Sequence, residues 1–201
     1  MKRMATRLSG VRVCSSRFGA GPGALPDRPK ALVAYFSYGG STARLAETVA
    51  QKASADLSEL RPAVPYPLEE GRVSELARAE GRDGALPELG DGFPDPSGYG
   101  AVLVGSPVWW FGLAGPVRSW LAKFDFSGKP VALFVTHGGG GPSKCLADLA
   151  RLAKGASVEP GVLAVKGNGS GGLDGLDEAK ILSWLRGVRA PGGGPAGYLG
   201  L

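Results

Sequence analysis

Continuous apolar runs alternate along this chain with stretches whose apolar residues fall three and four positions apart. Residues 31–36 (ALVAYF), 101–105 (AVLVG) and 131–136 (VALFVT) show no polar alternation, the pattern of strands covered on both faces. Leu45, Ala46, Val49, Ala50 and Ala53 follow the first run at helical spacing; Val117, Trp120, Leu121 and Phe124 follow the second, with Pro116 as a first helical residue. Cys145, Leu149 and Leu152 mark a helix after the third run. Residues 158–165 and then 176–188, with Ile181, Trp184, Leu185 and Val188 in register, predict a last strand and helix. Residues 56–60 alternate instead, as an edge strand does. Five strands alternating with helices predict an α/β fold: a parallel sheet with right-handed crossovers and helices on both faces.

Two stretches interrupt the pattern. Residues 62–98 hold six prolines and predict only a short helix over 72–79, so they read as a long insertion in one crossover. Residues 1–30 carry seven Lys/Arg against Asp27 alone and read as a basic, disordered N-terminal extension; residues 190–201, with five glycines and two prolines, read as a flexible C-terminal tail. Residues 31–189 are then one domain, of ordinary size for an α/β fold.

The charge balance changes meaning once the extension is set apart. Of the formal +5, the extension accounts for +6, and the rest of the chain is nearly neutral. A basic stripe interleaved with aromatics is missing, which argues against nucleic acid. No run approaches the 18 or more apolar residues of a membrane span, and two distant cysteines, Cys14 and Cys145, fit a reducing, cytoplasmic setting. His137 is the only histidine, which excludes a His-based metal cluster.

Three loops at predicted strand ends carry the candidate chemistry. In the first, Ser37, Tyr38, Gly39, Gly40, Ser41 and Thr42 place hydroxyls and adjacent glycines before a helix N-terminus, where unpaired N–H groups and the helix dipole suit a phosphate. A Walker loop needs a lysine, and none occurs between Lys30 and Lys52; a dinucleotide fingerprint needs three spaced glycines, and only two are present. The second loop, Ser106, Pro107, Val108, Trp109, Trp110, Phe111 and Gly112, puts three aromatics in a row. The third contains Thr136, His137, Gly138 and Gly139. Loops that follow parallel strands share one edge of the sheet, where ligands bind at the reversal of strand order.

These three motifs, YFS-x-GG-ST, GSPVWWFG and SGKPVALFVTHGGGG in that order over residues 31–166, resemble those of the flavodoxin family. The resemblance implies a flavodoxin-like three-layer sandwich of strand order 2-1-3-4-5, with FMN as cofactor. Ser37, Gly40 and Thr42 would then meet the phosphate, residues 106–112 one side of the flavin and 136–140 the other. Trp109 or Trp110, more readily Trp110, would cover the ring; Tyr38 and Phe111 are weaker candidates for the same contact. Gly112 would allow a backbone rearrangement beside the flavin, and His137 would sit at its edge. Ser41 stands where many flavodoxins have Asn. Near-neutrality argues against a shuttle that docks on strongly basic partners.

The resemblance leaves three readings: an electron-transfer protein or oxidoreductase serving a redox partner or small-molecule electron acceptor, an NAD(P)H-dependent quinone or nitro reductase, and a flavin-free binding module of the same fold. A homodimer is compatible with each. Cys145-x5-Arg151 also matches the spacing of tyrosine phosphatases, but the intervening residues have the pattern of a helix interior rather than a phosphate-wrapping loop.

Overall fold

The computed structural model describes residues 30–168 and 170–189. The extension (apart from Lys30) and the 190–201 tail therefore lie outside the described residues. Strand β1 (Ala31–Tyr35) is buried throughout and pairs in parallel with β2 (Asp56–Glu59) on one side and β3 (Ala101–Trp109) on the other. Strand β4 (Gly112–Leu113) folds back on β3, and β5 (Pro130–His137) and β6 (Ser157–Gly167) continue the parallel sheet, with β7 (Leu173–Asp174) antiparallel at its edge. The path is β2-β1-β3-β5-β6-β7. Its five parallel strands thus run in the order 2-1-3-4-5, and the two additional strands are two-residue pieces that apolar runs cannot signal.

Unalternating strands are explained by two covers. Ala31, Val33 and Tyr35 face a core completed by α1 (Ser41–Ala53) and α5 (Glu178–Gly187); Leu32, Ala34 and Phe36 face one completed by α3 (Gly115–Lys123) and α4 (Cys145–Leu152). In β5, Ala132 and Phe134 point to the first core and Val131, Leu133 and Val135 to the second. Gly105 has no side chain because a Cβ there would lie 2.3 Å from the Phe134 ring.

Two elements outrun their sequence signals. Strand β3 continues through Ser106-Pro107 to Trp109, since its pairing with β5 persists to Pro107↔Thr136. Strand β1 has ended by then, so β3 is an edge on that side, where a strand tolerates proline. Helix α2 (Glu70–Asp83) is longer than the predicted 72–79, because Val73 and Ala77 are the apolar residues it buries and its periodicity is correspondingly sparse.

The proline-rich insertion is fastened by side chains of the β1–α1 loop and of α3. Tyr38 donates to the Pro67 carbonyl (2.7 Å), Ser119 to that of Pro87 (2.6 Å) and the Trp120 indole to that of Pro94 (2.8 Å). A proline removes a backbone donor yet leaves its acceptor, and these acceptors are taken.

Candidate functional site

Strand order reverses between β1 and β3, and their carboxyl ends open a groove shared with the end of β5. Its polar end has a volume of about 210 Å³ and is lined by Tyr38, Gly39, Ser41, Thr42, Pro107, Val108, Trp109, Thr136, His137, Gly138 and Gly167. Its wider end, about 420 Å³, shares Val108, Trp109, His137 and Gly138 and adds Trp110, Phe111, Gly140, Gly141 and Ser143, with Val73, Ser74 and Ala77 of α2. Both ends fall within or near the size of ordinary ligand sites.

At the polar end Gly40 precedes α1 with φ 88°, a left-handed conformation suited to glycine, and a Cβ there would meet the Gly171 backbone at 3.3 Å. Gly40 accepts the first helical bond, from the Arg44 N–H, so the N–H groups of Ser41, Thr42 and Ala43 have no acceptor within the helix. Thr42 and Thr136 share a 2.8 Å hydroxyl–hydroxyl bond between the first turn of α1 and the end of β5. If Thr136 donates, the Thr42 hydroxyl keeps its proton for a ligand. Among the described residues, no Lys or Arg lines this end. A dianion held here relies on backbone amides, hydroxyls and the helix dipole.

Gly167 and Asn168, with residues 170–172, not picked out from sequence, border that end. Ser41 donates to the Gly172 carbonyl (3.0 Å), and the Asn168 carboxamide accepts from the Ser170 and Gly172 N–H groups. A glycine-rich segment directly after the fifth predicted strand, at the same sheet edge, was the signal that could have found it.

At the wide end the chain turns back on itself. Trp109 and Gly112 pair as neighbours across the β3–β4 hairpin, leaving Trp110 (φ 45°) and Phe111 (φ 67°) as a two-residue turn. Positive φ at both central positions is what the right-handed twist of a tight hairpin demands, and Asn-Gly is the usual solution. Two aromatic residues here are strained. The surroundings hold them: the Trp110 indole N–H donates to the Ser74 carbonyl (2.8 Å), the Arg78 guanidinium lies 5.1 Å above the ring, and the Phe111 carbonyl accepts from the Lys144 N–H (3.0 Å). Both residues stay open to solvent, at 41% and 65%.

Trp109 is the better covered of the pair. Phe36, Tyr38 and Tyr66 stand edge-on around it at 5.4, 5.9 and 4.9 Å. Tyr66, in the insertion, donates to the Glu80 carboxylate at 2.9 Å. Burial pushes the Tyr66 hydroxyl up, with the Glu80 charge adding to it; burial also raises Glu80, against the pull of Tyr66 and Arg118.

The groove therefore gathers Tyr38, Gly39, Ser41, Thr42, Pro107, Val108, Trp109, Trp110, Phe111, Thr136, His137 and Gly138. Gly40 shapes it from beneath. Ser37 instead borders a separate hollow with Leu60 and Tyr66, and its buried hydroxyl has no partner among the described residues. Ser106 is fully buried, accepting from the Ala114 N–H. Gly112 is turned toward α4, where a Cβ would lie 2.5 Å from an Asp148 oxygen, and it does not line the groove; nor does Gly139, whose N–H donates to His137 Nδ1 (3.0 Å). Cys145 is buried at the start of α4, its thiol pushed up to about 12 by burial and by Asp148, the opposite of a nucleophilic cysteine.

A family model described as flavodoxin matches residues 30–174. No curated protein sequence matches the chain. Among solved structures, a candidate flavoprotein from Bacteroides eggerthii is 26% identical with a TM-score of 0.64, the match covering 79% of this chain and 96% of that one. A flavoprotein from Lactobacillus acidophilus, solved in complex with FMN, is 23% identical with a TM-score of 0.60 over 78% of this chain and 98% of its own. Taken with the strand order, the cation-free loop before α1 and the aromatic hairpin, these matches show that the chain belongs to the flavodoxin family.

Proposed function

We propose that the chain binds FMN along the groove and works in electron transfer or oxidoreduction. The observation that carries this reading is the contiguity of a cation-free, amide-rich pocket at the α1 N-terminus with an aromatic-walled hollow, which matches a molecule that is phosphate at one end and flat ring at the other. Membership of the flavodoxin family supports it, as does the FMN held by the Lactobacillus protein.

The residues have separable tasks. Thr42, with the first-turn amides of α1, would hold the phosphate. Trp109 and Trp110 would wall the ring. His137 accepts the Gly139 N–H at Nδ1, which places the proton of its neutral form on Nε2, a donor at the junction of the two ends. FMN, when bound, supplies the redox chemistry itself.

Anaerobic reduction of the FMN-loaded protein, followed by absorption, separates the roles. Two resolved spectral transitions under a chemical reductant, with no turnover by NAD(P)H, mark a carrier. A single transition driven by NAD(P)H, with quinone reduction, marks a reductase. An FMN complex that neither reductant alters contradicts both.

A further inference from the structure

A separate cavity of about 110 Å³ shares the Trp109 and Trp110 wall with the groove and is bordered by α2, α3 and α4 with the Lys144 before it. It is the reverse of the groove's polar end in character. Four cations border it, Arg82, Arg118, Lys144 and Arg151, against two carboxylates, Glu80 and Asp148.

The pairing among them is incomplete. Arg82 is answered by Asp83 (2.6 Å) and Arg151 by Asp148 (3.2 Å), whose other oxygen accepts from the Leu113 N–H. Both oxygens of Glu80 accept from Tyr66. Arg118, only 6% exposed, gives its Nη2 to the carbonyls of Glu80 and Ala85, which are neutral dipoles, and its Nε is buried with no hydrogen-bond partner among the described residues. Neither Arg118 nor Lys144 has a carboxylate within 4.0 Å among the described residues. Its hydrogen bonds go to carbonyls and the Glu80 carboxylate acts on it only at longer range, so the charge of the buried Arg118 guanidinium is incompletely compensated, which is costly unless a counter-ion shares the site.

We propose that this cavity binds a small oxyanion, a phosphate or the phosphate group of a larger molecule, between Arg118 and Lys144. The volume holds several water-sized groups, enough for a tetrahedral anion. Phosphate oxygens offer the acceptors that the guanidinium and ammonium lack. The glycine at 112 belongs to the same construction: a Cβ there would meet Lys144 Cε at 3.1 Å and Asp148 at 2.5 Å, so glycine lets both side chains close over the hairpin. The site does not depend on FMN binding in the groove.

The test is calorimetric titration of the full chain with inorganic phosphate at low salt, with tryptophan fluorescence read alongside because two indoles wall the cavity. Wild type, Lys144→Gln, Arg118→Gln and Thr42→Ala are compared, with and without saturating FMN. The expected result is saturable binding that Lys144→Gln weakens at least tenfold and that neither Thr42→Ala nor FMN abolishes. Lys144 is exposed, so its variant decides the matter even if Arg118→Gln fails to fold. An ADP arm separates the sources: tighter binding than phosphate with the same Lys144 dependence assigns the group to a nucleotide, weaker binding to free phosphate. No saturable phosphate binding, equal binding in wild type and Lys144→Gln, or binding lost only with Thr42→Ala or FMN overturns the proposal, and the last two outcomes leave the groove reading intact.

Discussion

At its Thr42 end the groove is made of backbone donors and small hydroxyls set by β1, α1 and the Gly172 carbonyl that Ser41 grips, whereas at its Trp110 end it is made of aromatic rings held in a left-handed turn by α2 and α4. The first end is assembled from geometry that any parallel α/β sheet provides: a strand end, a glycine and a helix N-terminus. The second depends on the insertion, whose Ser74 and Arg78 hold the Trp110 ring. Ligand sites of this kind can thus combine a generic anchor with a locally strained, more variable wall.

The largest effect should come from a residue beneath both ends. Phe134, on β5, is fully buried in the core between the sheet and helices α1 and α5, and Phe134→Ala should lower the unfolding free energy by about 3–5 kcal/mol, removing the distinction between the ends by loosening the sheet itself. Chemical denaturation measures this directly; a loss under about 1 kcal/mol would mean that the sheet does not rest on that ring.

A turn exchange sharpens the comparison. Replacing Trp110→Asn together with Phe111→Gly relieves about 1–2 kcal/mol of left-handed strain per residue and forfeits the Ser74 hydrogen bond, about 1 kcal/mol. Stability should therefore hold or rise slightly while FMN fluorescence quenching weakens. A fall of more than about 2 kcal/mol would show the aromatic turn to be relaxed rather than strained.

A smaller effect reports on the support behind Trp109. Burial raises the Glu80 carboxyl, so the folded protein keeps that proton at pH values where the unfolded chain has released it. This contribution to stability is present at low pH and is lost as pH rises through the window above the ordinary carboxylate value. Glu80→Gln should flatten that slope in a pH series of thermal melts; an unchanged slope assigns the dependence elsewhere.

How much of this was legible depends on what each residue must satisfy. Strand β1 was readable because both faces are buried, so every side chain from Ala31 to Phe36 had to be apolar or nearly so. The Thr42 end was readable because an anion site of that type needs hydroxyls, glycines and a helix start at fixed offsets. The hairpin was not: its turn carries Trp-Phe where Asn-Gly would have announced it, and its conformation is imposed by neighbours distant in sequence. Tyr66 was hidden in the same way, because its importance comes from Trp109 and Glu80, contacts that no local pattern encodes.

The central claim is that the groove holds FMN with its phosphate at Thr42. Parallel titrations of wild type and Thr42→Ala with FMN and with riboflavin test it most directly. FMN should bind wild type and lose about 1.5–3 kcal/mol in the variant, the range for a hydrogen bond to a charged group, while riboflavin, lacking the phosphate, should be indifferent to the substitution. Equal losses for the two ligands, or no FMN binding to wild type at any concentration, would contradict it.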